Sequence, residues 1–329
     1  MAAYTTIDNP ELYFQVKLYT GTGSSNALTL DGDENMQPDF VWIKIRDGTH
    51  PHEAYDSVRG VTKRLYVDAV DAETTNAGGL TAFGSDGFTV GSQDHVNEDT
   101  KTFVAWCWKE TADAGFDIVS YTGNATARTI SHSLSAIPHL MILRDRDDRK
   151  SWVVYHHKNT SAPETEYLLL DGNGATTDSD AYFNDTAPTS SVFTIGTGSD
   201  ANASGDDFIS YHWTSKQGFS KFGSYTGNGN ADGNFIWLGF RPACVIIKGD
   251  NTENWSMYDN KRLGYNVDNN VLYPNATSAE GTSDDIDFLS NGFKIRRQTG
   301  LLNDANDYIF MAWAEAPLVN SKGVPCNAR

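Results

Sequence analysis

Apolar and polar residues alternate in short runs along this chain, and the runs are cut by clusters of Gly, Asn, Asp, Ser and Thr. The stretch Tyr13–Tyr19, read Tyr-Phe-Gln-Val-Lys-Leu-Tyr, alternates between two faces and leads into Gly21 and Gly23, the pattern of a strand followed by a tight turn. Asp39–Ile45 is apolar almost throughout, as in a strand covered on both sides. Pro38 stands just ahead of it, where a missing N–H removes no interior ladder bond. Asp86–Val90 and Thr102–Trp108 read as further strands. No window holds apolar residues at three-and-four spacing over three turns, so helices are not expected.

The runs repeat. Tyr-Thr-Gly occurs as Tyr19–Gly21, Tyr121–Gly123 and Tyr225–Gly227. In the same order and at a similar step come Pro38, Pro138 and Pro242, then Lys44, Arg144 and Lys248, then Leu65, Leu168 and Leu272. Phe88, Phe193 and Phe293 follow, and Trp108, Trp213 and Trp313 close each copy. Six landmarks in register predict three copies of one module of roughly 100 residues, too long for a solenoid unit and long enough for a core of its own. The expected division is an N-terminal arm at 1–12, repeats at 13–111, 116–215 and 219–317, and a C-terminal tail at 318–329. The predicted fold class is all-β: three tandem antiparallel β-sandwich repeats of jelly-roll or lectin-like type, with the shared Trp and Phe between the two sheets of each. Joints of three to five residues, Thr111–Gly115 and Lys216–Gly218, predict fixed contacts between neighbours. The arm is expected to be free or docked on a neighbour.

Charge narrows the partners. With 25 basic and 43 acidic residues the net charge is −18, which disfavours a nucleic-acid backbone or an anionic bilayer. No stretch approaches the roughly 18 apolar residues of a membrane span, and Met1–Pro10 lacks the pattern of a secretion signal. Cys107, Cys244 and Cys326 are too few and too scattered for a disulfide framework or a zinc site.

Candidate chemistry is sparse. There is no His-Glu-x-x-His, no Gly-x-Ser-x-Gly and no Walker-type loop, so no catalytic, cofactor-binding or metal residue is assigned and no cofactor is expected. His156 and His157 are adjacent; on a strand they point to opposite faces, and both are expected at the surface. The acidic clusters Asp31–Glu34, Asp145–Asp148 and Asp284–Asp287 are expected to be solvated loops, although calcium would accept their oxygens. Asp171–Gly174 opens like a calcium loop, but Ala175 and Thr176 break it. Asp56 and Arg59, echoed in Tyr258–Gly264, are expected to fix a turn by a charge-assisted bond. Tyr19, Tyr121 and Tyr225 are assigned to packing, and ligand-binding residues stay unknown. The loops Thr49–Ala54, Asp145–Ser151, Gly172–Ala181 and Asn251–Asn254 differ between copies and are the expected binding surfaces.

Several strings carry a resemblance. Tyr4–Pro10 with Tyr13–Gln15, Gln37–Lys44, Asp56–Gly60, Gly218–Gly229, Asp284–Phe293 and Gly323–Arg329 together resemble a virion-protein family of marine tailed bacteriophages, tail or tail-fibre-like, with Tyr-Thr-Gly β-repeats. The resemblance spans nearly the whole chain and brings no catalytic or metal residues. It implies a non-enzymatic structural protein on the particle surface, tail-associated as a fibre, appendage or tip, present as a homo-oligomer or in several copies per particle and assembled in the host cytoplasm. Its implied partners are other tail or capsid proteins and a host-surface glycan or receptor protein. A capsid decoration or head fibre is the alternative of the same class, and a glycan-degrading tail enzyme the alternative of another.

Overall fold

A computed structural model describes residues 3–262, 266, 269–283 and 285–327. Met1, Ala2, Leu263, Gly264, Asp284, Ala328 and Arg329, which belong to motifs or terminal segments named above, lie outside the described residues.

The fold is all-β, antiparallel and sandwich-like. The first large sheet runs, in spatial order, Phe14–Thr20, Thr102–Trp108, Phe40–Ile45, Glu53–Asp56, Lys63–Tyr66 and Thr74–Thr75. The second has the same order: Phe116–Thr122, Asp207–Trp213, Leu140–Asp145, Val153–His156, Glu166–Leu169 and Thr177–Asp178. The third begins alike with Ser220–Thr226, Asp307–Pro317, Phe240–Gly249 and Ser256–Asp259. A smaller sheet accompanies each: Asn26–Thr29 with Gly87–Val90 and Leu80–Gly84, Arg128–Ser131 with Val192–Ile195, and Phe235–Trp237 with Gly292–Ile295 and Ile286–Leu289.

Alternation along the large-sheet strands sends side chains into two different interiors. Val41, Ile43, Ile45, Phe103, Ala105 and Cys107 pack with Leu80, Phe88 and Val90 of the small sheet. Their neighbours Phe40, Trp42, Val104, Trp106 and Trp108 face the other way and join one cluster shared by all three segments. The second segment divides likewise, with Met141, Leu143, Phe193 and Ile195 in its own cluster and Leu140, Ile142, Tyr211 and Trp213 in the shared one. A strand buried on both faces has no side turned to water, which is why Phe40–Ile45 is apolar apart from the buried Lys44.

This corrects two expectations. Phe88 and Phe193 do lie between the two sheets of their segments, but the tryptophans do not. Trp108, Trp213 and Trp313 meet one another where the three large sheets converge, with ring centroids 6.2, 5.3 and 6.0 Å apart and planes at 66°, 72° and 70°. These are edge-to-face contacts, in which the ring edge of one indole meets the electron-rich face of the next. Nor is the packing confined to separate cores: the first and second segments each hold an interior of their own, and a further interior, shared by all three, runs from Phe14 to Trp313. The segments surround a common centre rather than following in a row.

The Tyr-Thr-Gly stretch has a mechanical explanation. The three tyrosines donate to Val96, Ala201 and Leu302 carbonyls at 2.6, 2.8 and 2.8 Å. The buried Asn97, Asn202 and Asn303 accept the N–H groups of Thr22, Asn124 and Asn228 at 2.9, 2.9 and 3.0 Å. The two loops approach so closely that a Cβ at Gly21, Gly123 or Gly227 would stand 2.0, 1.9 or 1.9 Å from a carbonyl oxygen. Only glycine fits there.

The first residues pack on the third segment. Tyr4 donates to the Gly239 carbonyl at 2.7 Å, Ile7 joins the shared interior, and Asp8 accepts from the Ser321 N–H and hydroxyl at 2.6 Å each. The two ends of the described chain are thus tied together.

Candidate functional site

Three seams join the segments, and two are built alike. At the seam of the first and second segments Asp56 is bound by Arg59 of its own turn and by the Tyr211 hydroxyl at 2.7 Å. Arg59 also reaches Glu73 at 3.1 Å, and Arg146 closes on the same Glu73 through two bonds of 3.0 Å. At the seam of the third and first segments, Asp259 is bound by Arg262 at 2.6 Å and by the Trp106 indole at 3.2 Å, while Arg262 and Arg46 both hold Glu280. Asp56 and Arg59 do fix a turn, as expected, and the bond to the next segment is added to that. Burial without partners would be prohibitive for these ions; each is satisfied by several charge-assisted bonds.

The seam of the second and third segments is different. His156 stands in place of Asp56 and Asp259, Asn159 in place of the arginine, Thr176 in place of the glutamate, and Asp250 in place of Arg46 and Arg146. The clamp shrinks to a Thr176 hydroxyl on Asn159 at 2.9 Å, with His156 donating to the Phe310 carbonyl at 3.2 Å. A polar hollow of about 410 Å³ opens there, walled by Lys158, Ser161, Tyr225, Thr226, Asp250 and Asp307 among others. A second hollow of about 420 Å³ shares Lys158, Ser224 and Tyr225 with it and continues past Lys221 to Phe235 and Trp237. The two form one groove, polar at one end and aromatic at the other.

The groove floor is held by bonds of its own. The Tyr225 ring stacks on Tyr308 at 5.1 Å with its hydroxyl committed to Leu302, and burial pushes that hydroxyl's pKa well up. Lys248, fully buried, gives its ammonium to the Gly249 and Asn251 carbonyls at 2.8 and 2.6 Å; desolvation brings its pKa down to about 8. Asp307 accepts from Thr226 at 2.6 Å and lines the hollow. On the rim, Ser224, Thr226, Asp250 and Asp307 are exposed, as is Lys158, which among the described residues has no ion-pair partner.

The residues singled out from sequence are distributed otherwise. His156 is buried and His157 half-buried, correcting the expected surface placement: His157 donates to Phe222 at 2.9 Å and stacks on His139 at 4.0 Å. Desolvation holds His156 down at about 3 and His139 at about 4. Asp145 accepts from the Asp147 and Asp148 N–H groups at 2.9 Å each, and Asp171 from the Trp152 N–H at 2.8 Å. Among the described residues no group of three or more His, Cys, Asp or Glu is placed to hold a metal ion. Cys107 and Cys244 are buried and Cys326 is exposed.

The loops that differ between copies turn out to be seam elements. His52, from Thr49–Ala54, is buried, accepting from the Trp42 indole at 2.9 Å and facing the Tyr273 and Ala276 backbone of the third segment. Asn173 meets Thr252 at 3.4 Å, joining Gly172–Ala181 to Asn251–Asn254. Phe235 and Trp237 were not found from sequence, although the signal was present: the matching outward positions carry Ala27 and Thr29 in the first small sheet and Thr129 and Ser131 in the second.

The family described as Domain of unknown function (DUF7483) matches residues 9–317, and the chain belongs to it. No curated protein matches the chain.

Proposed function

We propose that this chain is a non-enzymatic structural protein of a bacteriophage virion, tail-associated as a fibre appendage or tip, whose groove at the seam of the second and third segments contacts the host surface. The observation that carries the reading is the concentration of departures from the repeat at one place. Framework positions are kept in all three segments, while Asp250, Thr176, Asn159, Phe235 and Trp237 all abandon the pattern around a single groove. A structural role alone would favour the same clamp at every seam, and an exposed aromatic pair beside a polar hollow suits recognition. The resemblance to tailed-phage virion proteins supplies the setting. Gold-labelled antibody against the chain, applied to intact particles, is expected to mark the tail; labelling of the head would replace this reading with a capsid decoration.

One observation favours the enzymatic alternative: Asp250 and Asp307 line the same hollow, and glycoside hydrolysis uses two carboxylates facing one groove. Incubation with host polysaccharide, followed by sizing of the sugar, separates the two, since a binder leaves chain length unchanged.

A further inference from the structure

Phe235 and Trp237 are 44% and 47% exposed, on the outward face of a strand whose middle residue, Ile236, is buried. The small sheet does not need them, because the matching strands fold with small or hydroxyl residues at those positions. An indole and a phenyl ring two residues apart on one strand face offer exposed aromatic surface of the kind on which the apolar face of a sugar ring packs.

Cations stand next to that surface. Lys221 occupies the position held by Gln15 and Asp117 in the other large sheets, and its ammonium donates to the Trp237 carbonyl at 2.6 Å, leaving two N–H groups unassigned. Lys158 is exposed, has no ion-pair partner among the described residues, and belongs to the walls of both hollows. On a chain of net charge −18 these lysines are a local exception that would draw an anionic group to this point. At the other end, Asp250, Asp307, Thr226 and Ser224 supply carboxylate and hydroxyl oxygens, which suit the vicinal hydroxyls of a neutral sugar and repel an acidic one.

We propose that the groove binds an oligosaccharide in which acidic and neutral sugars alternate, the acidic unit lying on Phe235 and Trp237 with its carboxylate between Lys158 and Lys221, the neutral unit seated in the hollow against Asp250 and Asp307. This deepens the host-recognition reading and rests on it only for the source of the sugar.

The test uses the purified full-length chain. Hexasaccharides alternating glucuronate with N-acetylglucosamine, or galacturonate with rhamnose, are titrated by calorimetry and by tryptophan fluorescence, beside the same sugars with their carboxyls reduced to alcohols. At least one acidic hexasaccharide is expected to bind, with affinity falling tenfold or more on carboxyl reduction. Trp237→Ala should weaken binding tenfold or more. Lys158→Gln should narrow the difference between acidic and reduced forms, with Lys221 keeping part of it, and neither variant should unfold the chain, since both side chains are exposed. Equal affinity for acidic and reduced sugars, insensitivity to Trp237→Ala, or binding of neither acidic hexasaccharide overturns the proposal. Failure here leaves a tail location standing, while sugar binding by a protein absent from particles would sink the virion reading and keep the site.

Discussion

The Tyr211 hydroxyl donates to the Asp56 carboxylate at 2.7 Å across the seam of the second and first segments, with both side chains buried. Tyr211→Phe removes one bond to a charged acceptor that Arg59 still neutralises, so a loss of about 1–2 kcal/mol is expected. Arg59→Met leaves the buried Asp56 without its cation and Glu73 with Arg146 alone, and should cost about 3–5 kcal/mol. Urea unfolding of the two variants checks the order; equal losses would contradict the pairing described.

Trp213 touches both Trp108 and Trp313, so its loss opens a cavity that belongs to all three segments. Trp213→Ala should destabilise by about 3–5 kcal/mol. Hydrogen exchange should then accelerate in the strands around Trp108 and Trp313 as much as in those around Trp213. Acceleration confined to residues 116–215 would mean that the segments are energetically separate.

Gly123→Ala places a methyl group where the Ala203 carbonyl oxygen already stands, 1.9 Å away. The loop must move, and the Asn202 bond to Asn124 goes with it. A loss of about 2–4 kcal/mol is expected, in the range of backbone strain combined with a broken buried polar contact. The exposed Gly174, with nothing nearby, should accept alanine within about 0.5 kcal/mol, which makes the pair a matched control in thermal melts.

Acid should weaken the fold through its buried histidines. Burial holds His156 and His212 at about 3 and His139 at about 4, against 6.5 in an unfolded chain. Between those limits only the unfolded state gains protons at these sites, so their contribution is lost as pH falls from 6.5. Glu110, raised to about 7, and Asp68 and Asp145, raised to about 6, by desolvation, act in the opposite sense and favour the folded state at low pH. The clean comparison is therefore His156→Gln against the parent: its stability should fall less steeply with acid, by about 1.4 kcal/mol per pH unit. Parallel curves for the two proteins would show that His156 is not held neutral.

Restoring the missing clamp is a further test. Asp250→Arg together with Thr176→Glu recreates at the third seam the pair that Arg146 and Glu73 make at the first. The double variant should gain about 0.5–1 kcal/mol in urea unfolding, a partly exposed ion pair being worth no more. Thr176→Glu alone sets a carboxylate beside Asp250 and should lose stability.

Much of the fold was legible because strand period and turn chemistry are local properties. The run Phe40–Ile45 announced a doubly covered strand, and Tyr19, Tyr121 and Tyr225 announced a framework position, each now seen stacked on Phe103, Phe208 or Tyr308 at 5.1 Å. What covers the second face of such a strand is not a local property. Trp106 and Trp108 could as well have served an inner sandwich layer, and nothing in their spacing distinguishes that from contact with Asp259 or Trp313. His156 was misplaced for the same reason, since its partner Phe310 is remote in sequence. The groove was readable in principle from Phe235 and Trp237, but only by asking where the copies disagree rather than where they match.

Phe14, at the start of the first strand, stacks on Trp313 at 5.7 Å, and Trp313 in turn fills the meeting point of the three sheets. During synthesis the ribosome therefore releases the piece that seals the interior only after the first two segments have emerged. Until then the inner faces of two finished sheets remain open to water, a long interval in which the nascent polypeptide is exposed to wrong association and is a natural client for chaperones.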